Sequence, residues 1–437
     1  MDEQRLKQDT LRISIKEGIF ASAMTGFTQE HFIPFLLLIG GTARHVGFLG
    51  ALPNLAASLI QLSSSRVVTH FRSRRRTVVF FVFLQAISLA PMAVLAVVGW
   101  PMPWLFIACV VLFTASSALA GPAWGSLMSD LVDHDKRGAF FGFRNRLLGF
   151  ATVLATFIAG FLLYIGKRIG PNRAFGVVFM LAFIWRMVSW RYLKKMYETP
   201  WHHDKNADFT LWQFLRRLPE SNFAKFAVFV ACMSFSVNIA SPFFAVFMLE
   251  TLKFNYLLYI VVTLAATLTV HTAIARWGRH ADRIGNLKVI RITTPLIGLV
   301  PLPWLFNHDP RFLIVAQLFS GFVWAGFNLC TSNFIYDAVT PQKRTRCIGY
   351  FNTLNGVAVC CGCLLGGFLL PLLPPLFGHR LLSLFALSSA LRLVAAFVML
   401  PRLKEVRPVE HVKSDDLFFS MIGIRPIFGV ERKTIRY

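Results

Sequence analysis

The chain has 437 residues, of which 55% are hydrophobic and 15% charged, with 44 Phe and a formal net charge of +24. A soluble chain carries about 25% charged residues to coat its core, so this composition excludes a soluble fold. The excess of Lys and Arg collects in alternate loops between apolar runs, which argues against a nucleic-acid partner.

The opening stretch, MDEQRLKQDTLRISIKEG, is polar and mixed in charge, with no cleavable signal pattern, so the first apolar span itself is expected to direct insertion. Apolar runs and their Gly, Pro or charged breaks predict spans at 17–39, 46–69, 77–98, 102–129, 138–166 and 173–195. A polar linker, 196–222, follows; within it Asp208 is a candidate N-cap. Phe209, Leu211, Trp212, Leu215 and Leu218 there form an apolar face beside Arg216 and Arg217, as in a short helix lying in the interface. Six more spans are expected at 223–249, 254–276, 288–306, 311–338, 347–372 and 380–400, then a cytoplasmic tail at 403–437. Each span is near the roughly 20 residues that cross a hydrocarbon core of about 30 Å. With the N-terminus in the cytoplasm, the even-numbered loops hold 21 Lys/Arg and the odd-numbered loops seven. That bias places both termini in the cytoplasm of an inner-membrane protein.

All seven cysteines lie within or at the ends of apolar runs, so no disulfide framework is expected. The CCGC cluster at Cys360–Cys363 has the wrong spacing for tetrahedral zinc on a helix and no accompanying His; it reads as small-residue helix packing. No metal or cofactor is expected.

The chain repeats itself. SDLVDHDKRGAFFGFRNRLLG at 129–149 aligns with YDAVTPQKRTRCIGYFNTLNG at 336–356 at a constant offset of 207, matching Asp130 with Asp337, Arg137 with Arg344 and Asn145 with Asn352. In the first and seventh spans Phe27, Glu30 and Pro34 match Phe235, Asn238 and Pro242 at an offset of 208. Two six-span halves of like orientation put a site at their interface near the midplane.

Gly278–Lys288, GRHADRIGNLK, resembles the loop signature G-x-x-x-D-R-x-G-x-x-[KR] of the major facilitator superfamily, in its expected place after the eighth span. Asp130 to Arg137 and Asp337 to Arg344 are similar to that family's acidic-x6-Arg signature at the cytoplasmic ends of helices 4 and 10. The resemblance covers about residues 10–405 and implies an all-α membrane protein of 12 transmembrane helices in two six-helix repeats, the major facilitator fold. It further implies a cytoplasmic latch. Gly278 would allow close helix approach and Gly285 a tight turn; Asp282 would accept from a neighbouring helix N-terminus and Arg283 would pair with Asp337. The first half departs from this pattern: RVVTHFRSRRRTV has Arg66 at the glycine position and His70 at the aspartate position, which weakens its latch. Asp130 could still pair with Arg72, Arg74, Arg75 or Arg76.

Polar groups inside spans are costly in lipid and commonly face a cavity. Asn54, Ser58, Gln61 and Ser65 form one helical stripe in the second span; Gln317, Trp324, Asn328 and Ser332 form another in the tenth. Ser234, Asn238 and Ser241 add a third, in the seventh. Such stripes serve either a substrate pathway or interhelical hydrogen bonding. In the family, helices 1, 4, 7 and 10 line the cavity. Glu30 stands out, an acid in the middle of the first span in TQEHFIP, between Gln29 and His31; a lone carboxylate there takes a proton or a partner. Its repeat copy is Asn238, so ionisation is not a requirement of the fold. Arg144 either meets an anionic substrate or Glu30, or snorkels to the surface; Arg186 reads as snorkelling, and His271 as packed and hydrogen-bonded. There is no G-x-x-x-x-G-K-[ST] loop, nucleophile elbow or HExxH, so neither ATP-driven pumping nor enzymatic chemistry is expected. The sequence thus leads to a monomeric alternating-access carrier of a small organic solute, driven by a proton gradient or by the solute's own. The rival is a non-transporting sensor or assembly protein on the same scaffold.

Overall fold

Helix starts follow local chemistry. Prolines stand at the first turn of α6 (Pro103–Leu131), α8 (Pro171–Leu193) and α14 (Pro310–Ala338), where a missing N–H loses no bond. Ser73 caps α5 (Arg74–Val98), its hydroxyl accepting from the Arg76 N–H at 3.0 Å. The computed structural model describes residues 3–132, 137–199, 221–339 and 341–406; the side chains of 3, 65, 137–139 and 341–346 lie outside that description. The linker helix expected from Phe209 to Leu218 and the tail from 407 also lie outside it.

The first span is not one helix. α1 (Glu3–Gly26) begins 14 residues before the expected span and ends well short of it. Its polar start stays helical because Thr10, Ser14 and Glu17 turn inward, at i, i+4 and i+7, towards α7 (Arg137–Ile165) and α8. After Gly26 the Thr28 hydroxyl bonds back to the carbonyls of Met24 and Thr25, a pattern that competes with helix propagation. One 3-10 turn, Gln29–His31, leads into α2 (Phe32–Leu38). Pro34 explains the interruption, since it lacks an N–H and its ring conflicts with the carbonyl four residues back, that of Glu30. The seventh span repeats this: α9 (Asn222–Asn238) stops at the residue four before Pro242, then α10 (Phe243–Val246) runs into a π turn at Phe247–Thr251. The second span divides into α3 (Ala43–Gln61) and α4 (Ser64–Phe71), where Leu62 and Ser63 tighten to i→i−3 bonds.

The remaining helices are α11 (Tyr256–Ile284), α12 (Asn286–Leu299), α13 (Pro303–Phe306), α15 (Pro341–Leu369) and α16 (Arg380–Met399). Among the described residues ten helical segments are long and apolar enough to cross a membrane. The first two expected spans fall outside that count: α1 opens with charged residues, and α3 carries Arg44, His45, Asn54 and Gln61 among its apolar residues.

By contacts the chain forms two compact units, Met1–Asn206 with Asn238–Val261 and Gly356–Leu372, and the remainder. In the first unit, Phe35 meets Phe106 edge to face at 4.9 Å within a cluster holding Phe32, Phe175 and Phe179, a geometry that aromatic quadrupoles favour. The same unit holds a seam of small residues. A side chain at Gly47 would meet the Cys363 carbonyl and the Gly367 backbone, and one at Gly356 would collide with Ser58. Cys360 and Cys363 face Ala51 in this seam, whereas Cys361 is exposed. In the second unit, Phe226, Phe334 and Phe351 pack with Trp277, whose indole N–H donates to the Phe322 carbonyl at 2.8 Å.

Candidate functional site

The break between α1 and α2 sets the first group. Releasing the Glu30 carbonyl from the helix leaves it in need of a donor, and the Tyr259 hydroxyl of α11 supplies one at 3.0 Å. The Glu30 carboxylate is half-buried and has no partner among the described residues. His31, its neighbour, is fully buried, and neither ring nitrogen has a hydrogen-bond partner among the described residues. Gln29 is exposed. Two adjacent ionisable side chains with unmet hydrogen-bonding capacity, beside a broken helix, are a place where protons or a ligand can be held. At the matching break Asn238 is half-buried, with the Cys363 thiol 3.9 Å from its side-chain oxygen.

The polar stripes divide. The Asn54 amide donates to the Gly50 carbonyl at 2.8 Å and the Ser58 hydroxyl to the Asn54 carbonyl at 2.7 Å, so these groups bond within their own helix. Ser58 also belongs to the seam against Gly356, while Gln61 is half-buried. On α14, Gln317 and Trp324 are half-buried and Asn328 is exposed; Trp324 meets Phe327 edge-on at 5.6 Å.

A second group was missed in the sequence. Glu17, on α1, is buried; its carboxylate lies 3.5 Å from an Arg144 nitrogen and 3.8 Å from an Arg186 nitrogen, and accepts from the Ser189 hydroxyl at 2.9 Å. Arg186 donates to the Gln85 side-chain oxygen at 2.8 Å and to Ser189 at 3.0 Å. The Arg144 guanidinium covers the Trp124 ring at 4.3 Å. Neither arginine snorkels, and Arg144 meets Glu17 rather than Glu30. With a carboxylate within reach, turning inward replaces water by an ion pair and hydrogen bonds. His271, in contrast, is exposed.

Arg392 stands in α16 where Arg186 stands in α8, at an offset of 206, and Lys225 occupies the position of Glu17 at 208. Lacking that acid, Arg392 donates to the carbonyls of Ile297 and Val237 and to the Ser388 hydroxyl. Those carbonyls lie in the last turns of α12 and α9, the negative ends of helix dipoles, which stabilise a cation.

The third group sits at the helix ends and recurs in both halves. At the start of α5 the Arg74 N–H donates to Glu198 at 2.7 Å and its guanidinium to Asp130 at 2.6 Å. At the start of α12 the Leu287 N–H donates to Glu405 at 2.7 Å and the Asn286 amide to Asp337 at 2.8 Å. A carboxylate at a helix N-terminus satisfies an orphan donor and complements the dipole. Glu198 and Glu405 share the offset of 207 seen for Asp130 and Asp337, a signal available in the sequence. Gly285 has φ 93°, which only glycine adopts without strain. Gly278 would give an added side chain only ordinary contact with Leu329 at 3.6 Å, so close approach does not require it here. Asp282 is exposed and Arg283 half-buried; the side chains of Arg137 and Arg344 lie outside the described residues. No group of three metal-binding side chains occurs among the described residues.

The family profile of the Major Facilitator Superfamily matches residues 18–276 and again 226–431. No curated protein sequence matches. Solved structures that resemble the chain include a D-xylose–proton symporter, with TM-score 0.74 and 12% identity over 92% of this chain and 99% of that one. The nucleoside transporter NupG gives TM-score 0.67 and 13% identity over 91% and 100%. The human organic anion transporter MFSD10 gives 0.55 and 13% over 91% and 100%. At such identities the likeness is one of fold.

Proposed function

The chain belongs to the Major Facilitator Superfamily, and from that premise we propose that it is a secondary transporter moving a small organic solute by alternating access, coupled to protons through Glu30. The observation that supports this most is the pair of proline-broken helices in register with the repeat, one bearing a carboxylate with no partner among the described residues. A carboxylate that meets water from each side in turn carries a proton across; His31 and Gln29 stand beside it to share that proton. Asn54, Gln61, Arg144, Asn238, Gln317, Trp324 and Asn328 complete the proposed pathway, Arg144 being paired with Glu17. The proposed domains are the bundles 1–195 and 223–402, joined by the linker 196–222 and followed by the tail 403–437. In this reading the first two interrupted spans also cross the membrane, and the chain acts as a monomer. Thermal-shift screening against metabolites would find the solute, since a bound ligand stabilises by mass action; counterflow in proteoliposomes then tests transport. A protein that binds its solute and gives no counterflow is a sensor, not a carrier.

Orientation follows from the 21:7 charge bias, which supports cytoplasmic termini. Cysteines placed at Arg72 or in the linker should resist impermeant thiol reagents in intact cells; labelling there would overturn the orientation.

The proposed gate comprises Asp282, Arg283, Gly285, Asp337 and Arg344, with Gly278 beside them and Asp130 and Arg137 in the first half. Asp282→Asn should insert and fold normally yet slow turnover, by an access bias of about 1–3 kcal/mol. Unchanged turnover in that variant would leave the loop with a topological role alone.

A further inference from the structure

Orientation does not account for all the arginines in RSRRR, 72–76. Arg74 is buried between Asp130 and Glu198, and Arg75 reaches the Met196 carbonyl at 3.0 Å. Arg72 and Arg76 remain exposed, as do Arg191 and Lys194 at the end of α8. The two ends are neighbours: the Trp190 indole donates to the Val79 carbonyl at 3.1 Å, and its rings lie 5.0 Å from Phe83. Lys194 lies over the Trp190 ring at 4.1 Å. The nearby acids, Asp130 and Glu198, are both committed to Arg74, so none of these four cations has an acidic partner among the described residues. Exposed apolar residues continue from this patch: Phe80 and Ile87 on α5, and Ile184 and Met180 on α8. Arg76 to Ile87 and Arg191 to Met180 each span roughly 16 Å at 1.5 Å per residue, about half of a hydrocarbon core. A cationic rim with an indole beside it, above an apolar lane one leaflet deep, has the dimensions and charge of a phospholipid.

We propose that the α5–α8 edge holds one anionic phospholipid, its phosphate among Arg72, Arg76, Arg191 and Lys194 and its acyl chains along Phe80, Ile87, Ile184 and Met180. A zwitterionic lipid would bring its own cation into a site already rich in cations, so the net charge of the headgroup is what the site selects. The site rests on membrane embedding and does not depend on the transport reading.

The test is native mass spectrometry of the full chain, purified in detergent, with phosphatidylglycerol or with phosphatidylcholine of the same acyl chains. The parent should retain phosphatidylglycerol in preference. Arg76→Gln with Lys194→Gln should weaken that retention roughly tenfold or more, from the effect typical of one basic residue near an anionic surface. Arg276→Gln with Arg279→Gln, which removes the same charge from exposed positions on α11, should leave it within about twofold of the parent. Equal loss in the two double variants, or equal retention of the two lipids by the parent, would overturn the proposal. Should Arg76→Gln with Lys194→Gln fail to fold, Lys194→Gln alone gives the same comparison, with a loss of roughly fivefold expected. The charge-preserving Lys194→Arg should retain the lipid as the parent does.

Discussion

Glu30→Gln is expected to abolish pH-driven accumulation while leaving solute exchange in place. Glutamine keeps the size and the hydrogen-bonding oxygen of the protonated acid but never gives up a proton. Exchange requires no net proton movement, so counterflow should continue; uphill accumulation requires it and should fall to simple equilibration. Tyr259 holds the backbone carbonyl of Glu30 and not its side chain, so the helix break should survive the substitution. If Glu30 instead grips a cationic solute, counterflow and binding should both fail together. Paired counterflow and pH-driven uptake in proteoliposomes separate these results. Retention of pH-driven accumulation would remove Glu30 from the coupling step.

The largest effect on stability is expected at Glu17. Its side chain is 6% exposed and those of Arg144 and Arg186 are each 8% exposed, so water does little to screen the group. Glu17→Gln keeps an acceptor for Ser189 and strands two guanidinium groups inside the bundle. Breaking a buried pair from one side costs about 3–5 kcal/mol, because an uncompensated charge remains. Asp130→Asn is the comparison: Asp130 is 46% exposed and the buried Arg74 keeps Glu198 as a counter-charge, so its loss should cost about 1 kcal/mol or less. Thermal unfolding in detergent, followed by monodispersity, should rank the two variants clearly. Adding Arg144→Gln to Glu17→Gln should recover part of the loss, the non-additivity expected of groups in contact. A Glu17→Gln protein as stable as the parent would mean that the carboxylate does not neutralise the arginines.

How far the sequence carried varies with the physics of each feature. Apolar runs bounded by Pro, Gly and charge located α6, α8, α14 and α16 within two residues, because chain breaks and hydropathy act locally. Pro34 and Pro242 were legible as repeat partners, but the released carbonyls at Glu30 and Asn238 follow only from their effect four residues back. The arginines were less legible. In a helix apolar all round, periodicity does not tell the inward face from the outward one, so whether Arg144 and Arg186 turn in depends on Glu17 and Gln85 in distant segments. Glu17 itself was hidden by its place at the edge of a polar start that proved helical. The carboxylates at helix starts were present in the repeat offset, yet they follow α8 and α16, where a hydropathy reading expects only linker or tail.

That placement bears on handling the protein. Glu405 follows α16 and reaches back to the start of α12, and Leu403 accepts from Arg291 at 2.8 Å through its carbonyl. Residues 403–406 are therefore stitched into the second unit. A fusion junction or truncation set at 402, the natural end by hydropathy, would remove both stitches and leave the first turn of α12 frayed. A reporter joined after Val406 keeps them, and the same holds for Glu198 when the two halves are expressed as separate chains: the cut belongs after Thr199, whose carbonyl and hydroxyl also accept from Arg74 at 3.2 Å.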